Sequence, residues 1–246
     1  MNRRAFSASK AIVTFSRWAA DSVVDDYGIP AAKVHVIRPG VDLRHFRPRP
    51  VERPPGPVRI LFVGGDFVRK GGDDLLEAVR YLGDSAELDL VTASAPPSPP
   101  GSPRIRVHMG LDHSSEQLFD LYRRADVFVL PSRGECYGHV ICEALASGLP
   151  VVACDVGAVR ELVLDGYNGL LVPPGSPARL AEAIRMLVEQ PELWRIFGER
   201  GLRMAERDHD AARNAGTIFD LMRTLSDRRL AQPGAAGDDH AEMEVP

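Results

Sequence analysis

The sequence predicts an α/β fold, a Rossmann-like parallel sheet with helices on both faces, and three observations carry that prediction. Between residues 58 and 205, short apolar runs alternate with amphipathic stretches of helical period. The short runs are apolar at almost every position, as strands are when both faces of their sheet are covered. Glycine-rich or charged loops follow two of them, at the end where an open parallel sheet binds its ligands. The composition permits such a core: 44% of the 246 residues are hydrophobic and 26% are charged.

The elements follow in chain order. Ala11 to Phe15 is short and β-branched and reads as a buried strand, although no neighbouring strand for it is evident. Ser16 caps a helix that runs to Tyr27 and stops at Gly28, with Pro30 beyond it. Val34 to Ile37 is a second short apolar run, and residues 39–57 turn to proline and arginine and read as an inter-domain linker. Strands are then expected at Arg59 to Val63, Leu88 to Val91, Ile105 to His108, Asp126 to Leu130, Val151 to Cys154 and Gly169 to Val172. Helical periodicity fills Asp73 to Leu82, Ser114 to Arg124, His139 to Ser147 and Ala178 to Glu189. Pro96 to Pro103 reads as a surface loop. Past Pro191 the pattern is helical, and Ala211, Ala215, Ile218, Met222 and Leu225 make one apolar stripe. From about Ala231 the composition of Gly, Pro, Ala and acid predicts a disordered tail.

Charge and cysteine content exclude several classes. Thirty basic residues against 34 acidic ones give a net charge of −4, so no global field draws the chain to nucleic acid. No apolar run approaches the ~18 residues of a membrane span, and no apolar region follows Arg3 and Arg4 as in a signal peptide. Cys136, Cys142 and Cys154 are odd in number and lack CxxC spacing, which argues against a disulfide framework or a zinc site. The expectation is a cytoplasmic chain. Lys10, Lys33 and Lys70 are the only lysines.

Two loops carry chemistry. Gly64-Gly65 to Gly71-Gly72 follows the first strand of the main sheet and includes Arg69 and Lys70. Glycines let backbone approach an anion, and the next helix presents free amides and a positive dipole end. By itself this loop fits either a diphosphate cradle or a solvated glycine turn. It is neither GxGxxG nor a Walker box, which disfavours a dinucleotide oxidoreductase. The second loop runs from Pro131 to Gly138. A helix beginning there aims the amides of Gly138, His139 and Val140 outward, and Glu143 shares a face with His139 one turn on. Glu135 lies before the helix and Glu143 just inside it. Two carboxylates flanking an anion site suit the hydroxyls of a nucleotide and its sugar; as plain helix-terminal charges each would contribute ~0.3–1 kcal/mol. Cys136 reads as a packing residue. Asp208-His209-Asp210 spells a DxD motif but stands at a helix start, where Asp caps.

Glu135-x7-Glu143 and its surrounding string resemble the donor-site signature of glycosyltransferase family 4, retaining enzymes of GT-B fold. Ser16 to Val41 is similar to that family's inter-domain segment, Leu61 to Gly72 to its diphosphate loop, and Leu118 to Ser132 to the helix and strand before the signature. The resemblance covers residues 10–225. It implies a hexose transferred with retention from a UDP- or GDP-sugar to a sugar, lipid or small-molecule acceptor, with no metal or other cofactor. By the same resemblance Lys70 and Arg69 contact the diphosphate, Glu135 holds the transferred sugar and Glu143 binds the ribose. The Gly138 amide region cradles the distal phosphate, and Gly110-Leu111 marks where the base packs.

Many members of the family have Gly-Arg where this chain has Gly64-Gly65, and Arg69 is the expected substitute for that arginine. The resemblance divides the chain into residues 1–38, the remnant of a first, acceptor domain; the 39–57 linker; a 58–205 nucleotide-sugar domain; a 206–230 crossing helix; and the tail. Most of a first domain is absent from such a layout. A partner chain supplying it, or a non-catalytic nucleotide-sugar-binding module, are the alternatives, and the arginine-rich linker allows a peripheral contact with the inner face of a membrane.

Overall fold

The computed structural model describes residues 3–48, 56–93, 96 and 104–230. Most of the proline-rich loop and the tail from Ala231 onward lie outside them, as do residues 49–55 of the linker.

A six-stranded, wholly parallel sheet forms the centre. Its strands are β3 (Val58–Val63), β4 (Ala86–Thr92), β5 (Ile105–Met109), β6 (Val127–Leu130), β7 (Val151–Cys154) and β8 (Gly169–Val172), in spatial order β5-β4-β3-β6-β7-β8. β6 and β7 are buried at all four positions, which is why they read as unbroken apolar runs. From β3 the chain steps through α3 (Gly72–Leu82) towards one edge. From β6 it steps through α5 (His139–Ala146) towards the other. Right-handed crossovers in opposite directions put those helices on opposite faces. α6 (Pro177–Glu189) packs on α3, and α7 (Glu192–Asp208) packs on α5. α4 (Glu116–Arg124), capped by Ser115, returns the chain from β5 to β6. The strand order reverses between β3 and β6, so a crevice opens at their carboxyl ends.

The segment before the main sheet is a small βαβ unit. β1 (Ile12–Thr14) pairs in parallel with β2 (Val34–Val36), Ile12 opposite Val34, so the first strand does have a partner. α2 (Arg17–Asp25) joins the two strands, with Ile12, Val23 and Ile29 as its core. The partner of β1 is the second apolar run, Val34 to Ile37, whose pairing with Ala11 to Phe15 no local signal shows. An unforeseen helix, α1 (Arg3–Ala8), precedes β1 and has no buried residue, which explains the lack of an apolar pattern. Ser16 caps α2 as expected, accepting from the Ala19 amide at 3.1 Å. Glu161, far along the chain, takes the Arg17 and Trp18 amides at 3.0 and 2.8 Å.

The described part of the linker lies against the main core through Val41 and Phe46. α7 extends to Asp208, and α8 (Ala211–Leu230) is capped by Asp210, whose carboxylate accepts from the Arg213 amide at 2.9 Å. The DxD string therefore ends one helix and caps the next. The α8 stripe is not covered: Met222 is exposed and Ile218 and Leu225 are half-exposed. Among the described residues, no helix is long and apolar enough to cross a membrane.

Candidate functional site

The two predicted loops meet at the switch point between β3 and β6. Gly71 adopts φ 75°, and a methyl group there would stand 2.0 Å from the Pro131 carbonyl oxygen, so only glycine lets the loops approach this closely. The Arg133 amide donates to the Arg69 carbonyl at 3.0 Å. The Arg133 guanidinium reaches back to buried Asp74 on α3 at 2.9 Å. The Lys70 ammonium pairs with the Glu135 carboxylate, both largely buried. Arg69 is half-exposed, salt-bridged to Asp66 at 3.0 Å and donating to the Gly134 carbonyl at 3.1 Å. Two of the three charged residues expected to be catalytic, Lys70 and Glu135, thus touch each other, and Arg69 braces the two loops from outside.

Beyond them α5 starts at Gly138, which caps it at φ 91°. Among the described residues, the amides of Gly138, His139 and Val140 donate to no protein acceptor, as the first turn of a helix requires. Cys136 is exposed, not packed as expected, because the loop turns it away from the core before Tyr137 re-enters it.

A cleft of about 210 Å³ opens beside this helix start, lined by Gly64, Gly65, Gly110, Leu111, Val140 and Glu143 together with Thr92, His113 and Leu118. It unites four parts of the sequence that were singled out separately. Its floor is chemically unusual. Glu143 is 7% exposed, and burial pushes its carboxyl up to about 7, opposed by the Tyr122 hydroxyl and by His113. The Tyr122 hydroxyl donates to Glu143 Oε2 at 2.7 Å. His139 Nε2 stands 3.9 Å from Glu143 Oε1, and burial lowers the imidazole pKa. At Gly65 a methyl group would meet only the Ala93 Cβ, at an ordinary 3.8 Å.

A wider groove of about 660 Å³ lies at the ends of β7 and β8, but its charges are already engaged: Arg160 with Asp155, and Asp165 with the Leu171 amide. The smaller cleft holds the glycine loop, the helix start and the perturbed carboxyl. No group of three or more metal-ligating side chains occurs among the described residues.

A glycine loop and an open helix start at the switch point of a parallel sheet, beside a cleft floored by a buried carboxyl, define an α/β protein of Rossmann-like class with its ligand site at the strands' carboxyl ends. The chain belongs to the group 1 glycosyltransferases. The family model "Glycosyl transferases group 1" matches residues 57–190, and "Glycosyltransferase Family 4" matches residues 1–45.

A D-inositol 3-phosphate glycosyltransferase of Streptomyces bingchenggensis is 33% identical over 245 residues, covering 88% of this chain and 54% of that protein. The enzyme of the same name from Geodermatophilus obscurus is 37% identical over 199 residues, covering 71% and 44%. The chain thus spans about half the length of these curated relatives. Sucrose-phosphate synthase of Thermosynechococcus elongatus superposes with a TM-score of 0.79 at 26% identity, over 92% of this chain and 61% of that one. HepE of Anabaena, in complex with UDP and glucose, superposes at 0.74 with 20% identity, over 87% and 63%. The fold is that of the C-terminal half of GT-B glycosyltransferases.

Sequence reasoning missed Tyr122 and His113 as parts of the site. Tyr122 lies on the apolar face of α4 beside Leu118 and Phe119, so its hydroxyl needed a buried partner, and that polar tip was the available signal.

Proposed function

We propose that this chain forms the donor half of a retaining glycosyltransferase, moving a hexose from a UDP- or GDP-sugar to a sugar, lipid or small-molecule acceptor. The observation that carries the reading is the union of the Gly64-Gly65 loop, Gly110-Leu111, Val140 and Glu143 in one cleft beside Lys70 and the α5 start. In this reading the base packs against Gly110-Leu111, Glu143 takes the ribose hydroxyls, and the diphosphate bridges the Lys70 loop and the amides of Gly138 to Val140.

Departure of the diphosphate builds negative charge. Lys70 and amides already in place meet that charge without reorganising, each charged hydrogen bond contributing about 1.5–3 kcal/mol. Glu135, now on Lys70, would turn to the hydroxyls of the transferred sugar. No step in this account requires a metal. The relatives' name makes D-inositol 3-phosphate the first acceptor to try.

The length of the relatives and the uncovered α8 stripe favour one variant of the reading, in which a first domain or partner chain completes the enzyme and this chain alone only binds donor. Calorimetric titration of the chain with UDP and GDP, with Lys70→Ala as control, tests the donor site. Binding by the parent that the control loses supports it; equal binding by both, or none to either nucleotide, overturns a self-contained donor site.

A further inference from the structure

We propose that Tyr122 is a positioning residue for nucleotide recognition: from α4 its buried hydroxyl holds one oxygen of Glu143 and leaves the other facing the cleft for a ribose diol. The proposal rests on reading that cleft as the nucleotide pocket.

A carboxylate has two equivalent oxygens and a rotatable stem, so a diol is gripped well only if something fixes the group's plane. Tyr122 does this across a helix pair. Its side chain is 0% exposed, and its ring lies edge-on to Phe46 at 5.3 Å and stacks on Phe128 at 5.8 Å. The ring cannot turn away without disturbing the main core. Its hydroxyl donates to Oε2 at 2.7 Å, and among the described residues no other side chain hydrogen-bonds either Glu143 oxygen. Glu143 itself lines the cleft.

The hydroxyl also biases the charge state. Burial favours the neutral acid, while a donor on Oε2 favours the carboxylate. The other titratable groups around Glu143 are His113 before α4, and Cys142 and His139 on α5. Burial keeps the Cys142 thiol protonated and disfavours the His139 cation, which leaves the Tyr122 hydrogen bond as the larger influence opposing burial at Glu143 and His113 as the smaller. A ribose diol that donates two hydrogen bonds needs the ionised form.

The test is Tyr122→Phe, which deletes one oxygen and keeps the ring contacts, with Glu143→Gln beside it. Two readouts are taken: the carboxyl titration of Glu143 by carbon NMR of the free chain, and calorimetric affinity for UDP or GDP between pH 5.5 and 8.5. We expect the Tyr122→Phe titration midpoint to move up and affinity at pH 7 to fall about tenfold, the loss of one charged hydrogen bond. The pH at which binding reaches its plateau should rise with it. A folded Tyr122→Phe chain with unmoved midpoint and affinity overturns the proposal. A moved midpoint with Glu143→Gln binding as tightly as the parent overturns it differently, by removing the nucleotide reading beneath it. Parental melting temperature in Tyr122→Phe separates both results from a packing defect.

Discussion

Lys70 and Glu135 should be energetically coupled, and the size of that coupling follows from their burial. Their side chains are 14% and 9% exposed, so removing either strands the other's charge in a largely dry site. Truncating one member of a fully buried pair costs ~3–5 kcal/mol, and the residual exposure reduces this to roughly 2–3 kcal/mol. For a chain of this size that lowers Tm by about 5–10 °C. The double variant strands no charge, so Lys70→Ala with Glu135→Ala should cost at least ~1.5 kcal/mol less than the two separate costs added. Urea denaturation of the four chains gives the cycle. Additivity to within ~0.5 kcal/mol would refute the claim that these groups compensate each other. The same chains test their roles. Glu135→Ala frees the Lys70 ammonium and should bind UDP or GDP at least as tightly as the parent, whereas Lys70→Ala should bind at least ~10-fold more weakly. If both variants lose affinity equally, the separation of diphosphate contact from sugar contact is wrong.

Gly65→Arg should fold normally, because a Cβ there meets only Ala93 at van der Waals distance, and it should raise nucleoside diphosphate affinity by adding a cation beside the proposed diphosphate; weaker binding with an unchanged melt would count against a diphosphate at this loop. Gly71→Ala should cost at least ~2 kcal/mol, because φ 75° is strained for alanine and its methyl would overlap the Pro131 carbonyl, and a melting curve equal to the parent's would contradict the loop contact. Glu143 binds its proton more tightly folded, near 7, than at its ordinary 4.5, so unfolding releases protons between those values and stability falls as pH rises through that window. The loss is on the order of 3 kcal/mol, and Glu143→Gln should flatten it in denaturation curves taken from pH 4.5 to 7.5.

Much of the framework was legible because its signals are local. Strands buried on both faces are written as runs such as Val151 to Cys154, and Ser16 and Gly138 mark helix starts by chemistry that acts within one turn. What joins distant segments left no local trace. Lys70 meets Glu135 only because β3 and β6 are neighbours at the point where the strand order reverses, and nothing within either loop encodes that adjacency. The Tyr122 contact with Glu143 likewise depends on how α4 and α5 pack. Arg69 was assigned from its charge alone, and charge does not reveal that Asp66, three residues back, already holds its guanidinium.

The clasp of Glu161 on the Arg17 and Trp18 amides has a bearing on how the chain is made. It joins positions 144 and 143 residues apart, and Asn214 reaches the Arg38 carbonyl across a separation of 176. A nascent chain growing at ~5–20 residues per second must wait on the order of ten seconds before Glu161 can reach α2. Through that interval Ser16 alone caps the helix, and the small βαβ unit leaves the ribosome before the sheet it will be fastened to. Its final placement is therefore a late event of folding, and the long loop it closes makes that event slow.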